Sequence, residues 1–88
     1  MKYIVAFDIE NETVYYTDDF CSTCFLATKN INDATILKEE GIGNGVIYNI
    51  KKIDNVETRV IGDKHYSNQS ISNYRVLPVE VEIRIVEE

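Results

Sequence analysis

Apolar and charged residues alternate near the end of the chain: Leu77, Val79, Val81, Ile83 and Ile85 are apolar, and Glu80, Glu82 and Arg84 stand between them. Strand side chains point alternately to two faces, so this period predicts a strand with one face on a core and the other in water. Pro78 has no N–H for a ladder bond and is expected to open that strand. Residues 2–8 are apolar at both parities (Tyr3, Val5, Phe7 and Ile4, Ala6), which predicts a central strand covered on both sides. The polar Glu10-Asn11-Glu12 then reads as a turn, and residues 13–17 as the returning strand of a hairpin. Residues 20–27 are mixed and fit a short strand.

Two short helices are predicted next. Asn30 as N-cap, with Asp33 three residues on, marks a helix start whose face would carry Ile31, Ala34 and Leu37. The run Gly41-Ile42-Gly43-Asn44-Gly45 reads as a break. Beyond it Ile42, Val46, Ile47, Ile50 and Ile53 make one helical stripe, which predicts a helix over residues 45–54. Residues 56–61 look like a strand closed by Gly62, and residues 63–73 form a polar connection longer than a hairpin needs. The order β-β-(β)-α-α-β-β describes one α+β domain over residues 1–88. Its expected architecture is a small antiparallel sheet of four to five strands with one or two short helices on one face.

With 88 residues the chain buries only about 60 to 65% of the surface its unfolded form exposes, so oligomerisation is an expected source of stability. A net charge of −6 argues against direct binding of nucleic acid or an anionic membrane. The ends of the chain are acidic, and residues 51–75 are mildly basic through Lys51, Lys52, Arg59, Lys64 and Arg75. No apolar stretch approaches the roughly 20 residues of a membrane span, and the chain turns acidic at Asp8, too early for a secretion signal. A cytoplasmic protein is expected. The sequons at Asn11 and Asn68 then carry no weight.

Three groups of residues are candidates for chemistry. Cys21 and Cys24 have the spacing of a metal chelate or a redox disulfide, but the chain offers no second cysteine pair and one histidine; the pair reads as small core residues, and no metal or cofactor is expected. Gly41, Gly43 and Gly45 match neither the dinucleotide nor the P-loop pattern and read as a turn. Arg59, Lys64, His65, Tyr66 and Arg75 flank and occupy the polar connection. If residues 56–61 pair with the C-terminal strand, these cations can hold a phosphate while Tyr66 stacks on a base; the plainer alternative is a solvated loop. His65 has no triad partners nearby, and Glu80 and Glu82 lie on a wet face unsuited to raising a carboxyl pKa, so no enzyme is expected.

Thr17-Asp18-Asp19, then Phe25-Leu26-Ala27-Thr28-Lys29-Asn30-Ile31-Asn32-Asp33-Ala34-Thr35, a helix and a Val/Glu-rich final strand resemble small phage-encoded proteins over residues 14–88. Some proteins of that kind block bacterial immunity, as anti-CRISPR proteins and nucleotide sponges do. The resemblance implies a non-enzymatic binding protein and assigns no residue a role. The leading expectation is an inhibitor, monomeric or dimeric, that meets a basic surface on a host protein, such as a nucleic-acid-binding defence component, through Asp8, Glu80 and Glu82. The alternative is an oligomer that encloses an anionic nucleotide with Arg59, Lys64, His65, Tyr66 and Arg75. A third expectation is an assembly component whose strand edge pairs with another copy.

Overall fold

The structure is a computed structural model that describes residues 1–21, 24–52 and 57–80, with backbone alone at 18–21, 24 and 68. The strands are β1 (Lys2–Ile9), β2 (Glu12–Cys21), β3 (Cys24–Thr28), β4 (Glu57–Val60), β5 (His65–Ser67) and β6 (Ile71–Val79). One α-helix, α1 (Glu40–Lys52), and two 3-10 turns, Ile31–Asp33 and Asn68–Ser70, complete the described elements. The strands form one sheet in the order β5-β4-β3-β2-β1-β6. The fold is α+β, as the patterning predicts, with six strands instead of four to five. The sheet is mixed, because β3 and β4 run parallel across a crossover that contains α1.

β1 has the central place its two-sided apolar pattern predicts: Ile4, Val5, Ala6 and Phe7 are all buried between β2 and β6. The turn to β2 is a two-residue loop with positive φ at both Glu10 (52°) and Asn11 (67°), the twist-matched geometry of a tight hairpin. Beyond the Ala6–Tyr15 pair, residues 35–37 enter between the two strands. Thr35 N–H donates to the Tyr16 carbonyl (3.0 Å), and Tyr3 and Leu37 exchange two backbone hydrogen bonds (2.9 and 2.7 Å). This explains why the first expected helix stops at one 3-10 turn. Asn30 does cap it, accepting from Asn32 N–H at 3.0 Å, but Ala34 is already extended and the chain goes on to fill the sheet.

The glycine run is the interior of α1, not a break. Gly43 is buried, and a Cβ built on it would lie 2.9 Å from both γ-carbons of Val76 and 3.4 Å from Val5 Cγ2. The missing side chain lets the helix approach β6 and β1 closely. Val46, Ile47 and Ile50 of the predicted stripe pack on the core, Ile42 is half exposed, and Ile53 lies outside the described residues. Val5, Phe7, Ile9, Val14, Phe25, Ala27, Val60, Tyr66 and Ile71 form the sheet side of that core.

β6 begins six residues earlier than expected and Pro78 stands near its end. Since Val76 faces α1, Leu77 and Val79 lie on the opposite face, half buried, with Leu77 paired to Ile4. Residues 81–88, including Glu82, lie outside the described residues. Tyr3 uses both its backbone groups on Leu37, so its pairing with Pro78 is not hydrogen-bonded and the Pro78 nitrogen faces the outer side of β6. A bulge interrupts the β1–β6 ladder between Ala6 and Asp8, where Asn73 has φ 56°. The polar connection contains β5 and the start of β6, and β4 pairs with β3 and β5, not with the C-terminal strand.

Candidate functional site

The bulge in β6 aims Arg75 and Asn73 at Asp8. Arg75 Nη1 and Nη2 each lie 3.2 Å from Asp8 Oδ1, Thr13 Oγ1 donates to the same oxygen at 3.0 Å, and Asn73 Nδ2 donates to Oδ2 at 3.0 Å. Arg75 also donates to the Asn73 carbonyl (2.8 Å) and to Thr13 Oγ1 (3.3 Å). The Asn73 hydrogen bond, with those of Thr13 and Arg75, holds the Asp8 carboxyl below its ordinary value of 3.8 against an opposing effect of burial. Asp8 therefore meets Arg75, Asn73 and Thr13 within the protein. It also lies far from Glu80. Lys2 pairs with Val79 and Asp8 with Ser72, so the two acids are separated by most of β1, on the order of 20 Å. The expected face of Asp8, Glu80 and Glu82 is not assembled by this register: Asp8 is at the far end and Glu82 is outside the described residues.

The basic set divides in the same way. Arg75 on β6 and Arg59 on β4 stand four strand spacings apart, about 19 Å, because β1, β2 and β3 lie between them. Arg59 and His65 are directly opposed on β4 and β5, and His65 Nδ1 lies 3.0 Å from Glu57 Oε2. Tyr66 is on the helix-facing side, only 9% exposed, and its hydroxyl donates to Asp63 Oδ2 at 2.9 Å. Its ring is packed in the core and is not open to a base; Lys64 lies 5.2 Å from the ring centroid.

Asp63 is the centre of a second network that the sequence reading missed. It accepts from Lys64 N–H (2.8 Å) and from Tyr66, and Lys29 Nζ lies 3.1 Å from both Asp63 and Glu12. These contacts, the Lys64 amide foremost, lower the Asp63 pKa; Glu12 and then Asp63 raise that of Lys29, and the bond to Asp63 together with burial raises that of Tyr66. No local motif announces partners so far apart in the chain. Among the described residues no group of three His, Cys, Asp or Glu side chains is arranged to hold a metal ion, and no helix is long and apolar enough to cross a membrane.

A third location follows from Tyr3. Leu37 is bridged to one side of it and Pro78 lies on the other, so the entry to α1 and the exit of β6 meet at one end of the sheet. Glu39 precedes the helix and Glu40 begins it there, Ile42 is 46% exposed in its first turn, and exposed Glu80 follows the last residue of β6. Lys2 falls on the opposite face by strand alternation, with Ile4 and Ala6. Comparisons with protein-family models, with curated proteins and with solved structures gave no match.

Proposed function

We propose that the protein is a non-enzymatic binding protein that engages a basic partner surface with Glu39, Glu40, Glu80 and the half-exposed Ile42. One observation carries the reading: Tyr3 is flanked by Leu37 and Pro78, which brings the two chain segments that carry these residues to one end of the sheet. Acidic residues and an exposed aliphatic group at the same end of the sheet suit a cationic surface with an apolar recess, where charge complementarity chiefly speeds encounter. The resemblance of residues 14–88 to small phage proteins favours a host defence component as the partner, and inhibition by occlusion as the consequence. Affinity capture from bacterial lysate at low and high salt tests this. The wild type should retain a partner at low salt that is lost at high salt and lost on replacing Glu39, Glu40 and Glu80 by Gln. Capture indifferent to both changes refutes the reading.

The nucleotide-binding alternative keeps one favourable observation, the cross-strand placement of Arg59 and His65. Without Tyr66 and Arg75 it predicts a shallow anion site. A nucleotide at one hundred times its dissociation constant would add about 2.7 kcal/mol to stability, so a thermal-shift series with cyclic nucleotides separates the two readings. A shift abolished by Arg59→Gln supports the alternative, and no shift removes it.

A further inference from the structure

The sheet gives Cys21 and Cys24 a placement that their spacing alone does not. β2 ends at Cys21, β3 begins at Cys24, and the ladder pairs the two residues directly across from one another. Ser22 and Thr23 lie outside the described residues. Directly opposed residues of an antiparallel pair have Cα atoms about 4.5 to 5.5 Å apart, inside the roughly 4.4 to 6.8 Å that a disulfide spans. A directly opposed pair also shares one face of the sheet. We propose that Cys21 and Cys24 form a reversible disulfide clasp across the β2–β3 hairpin, exchanging with a small thiol–disulfide couple such as glutathione.

The exchange balances without a further oxidant. One protein thiolate attacks a sulfur of glutathione disulfide, the first S–S bond breaks, and one glutathione leaves as thiolate. The second protein thiolate then attacks the mixed disulfide at the protein sulfur and expels the other glutathione. Two protein thiols are oxidised, one glutathione disulfide is reduced to two thiols, and the two protons lost by the protein end on them. The closed loop is very short, so the bond removes little freedom from the unfolded chain and belongs with easily reversed disulfides rather than permanent staples. Its position gives it a consequence. Cys24 is also the ladder partner of Glu57, the first residue of β4, so the clasp fastens the end of the sheet where β2, β3 and β4 meet.

The test uses the full chain in glutathione buffers of graded ratio, with and without denaturing urea, quenched by acid and read by alkylation and intact mass. The folded protein should close an intramolecular disulfide about tenfold more readily than the unfolded chain, which by linkage corresponds to about 1.4 kcal/mol of added stability in the oxidised form. Cys21→Ser and Cys24→Ser should each stop at the mixed disulfide with glutathione. Equal closure in urea, two thiols that stay alkylatable in disulfide-rich buffer, or bonds formed only between chains would each overturn the proposal.

Discussion

A methyl group on Gly43 would stand 2.9 Å from both γ-carbons of Val76, closer than packed carbons tolerate. Val76 is β-branched and cannot swing aside freely, so Gly43→Ala must push α1 away from β6. Alanine is the better helix former by about 1 kcal/mol, but overpacking costs about 1 to 3 kcal/mol and should win. Gly41 and Gly45 have open space at the same atom. Gly41→Ala and Gly45→Ala should therefore each stabilise the protein by about 0.5 to 1 kcal/mol. Urea midpoints that move in opposite directions for Gly43 and for its two neighbours verify the close approach; a shared direction contradicts it.

The β1–β2 turn holds two residues with side chains in the left-handed region, Glu10 and Asn11. That conformation costs a residue with a Cβ on the order of 1 kcal/mol, less for Asn than for Glu. Replacing the pair by Asn-Gly should stabilise the hairpin by about 1 kcal/mol, a rise of roughly 4 to 8 °C in Tm for a domain of this size. Asn11→Val should lower Tm. A melting series on the two variants checks both signs.

Acid and alkali should each weaken the fold, for separate reasons. Asp8 and Asp63 titrate below 3.8 in the folded protein, so the stability they contribute is present above that value and is lost as pH falls through their native pKa values. Lys29 is raised above 10.5, and Tyr66 and Tyr74 above 10.0, Tyr74 through burial. Their contribution is present below the unfolded values and is lost as pH rises through the folded ones. Urea midpoints against pH should show a plateau between about pH 5 and 9 with a fall on either side. Asp8→Asn combined with Asp63→Asn should lower the plateau and flatten the acid limb alone; an unchanged acid limb would mean other carboxylates govern it.

What the sequence revealed and what it hid divide along the range of the interactions. The two-sided apolar run made β1 central, Glu10-Asn11-Glu12 marked the hairpin turn, and Asn30 marked a cap, because each signal is local. β5 went unseen because His65–Ser67 is too short for a period-two pattern to stand out from the polar residues around it. The alternation marks β6 only from Leu77, because Ile71–Asn73 is polar on its exposed face and is held by backbone pairing with β1. Gly41, Gly43 and Gly45 look like a break because helix propensity favours that reading, and the close approach to Val76 that requires glycine at 43 lies more than thirty residues away in sequence. The parallel register of β3 on β4, which separates Arg59 from Arg75, leaves no trace in local periodicity.

Pro78 faces outward from β6, and its replacement tests what that orientation does. Pro78→Thr supplies an amide hydrogen on the outer side without touching the ladder to β1. The variant should associate more strongly with concentration than the parent by size-exclusion chromatography and light scattering. Identical profiles would mean that the nitrogen does not govern self-pairing.

A strand from another molecule laid along that rim would meet an amide at Val76, an imide ring at Pro78 and a kinked stretch at Asn73. Too few rungs are on offer for such a visitor to stay, and the sheet is discouraged from lengthening at its β6 edge. Along β6, contact with other molecules therefore falls to side chains, which can choose among strangers, instead of to the main chain, which bonds with almost any extended peptide.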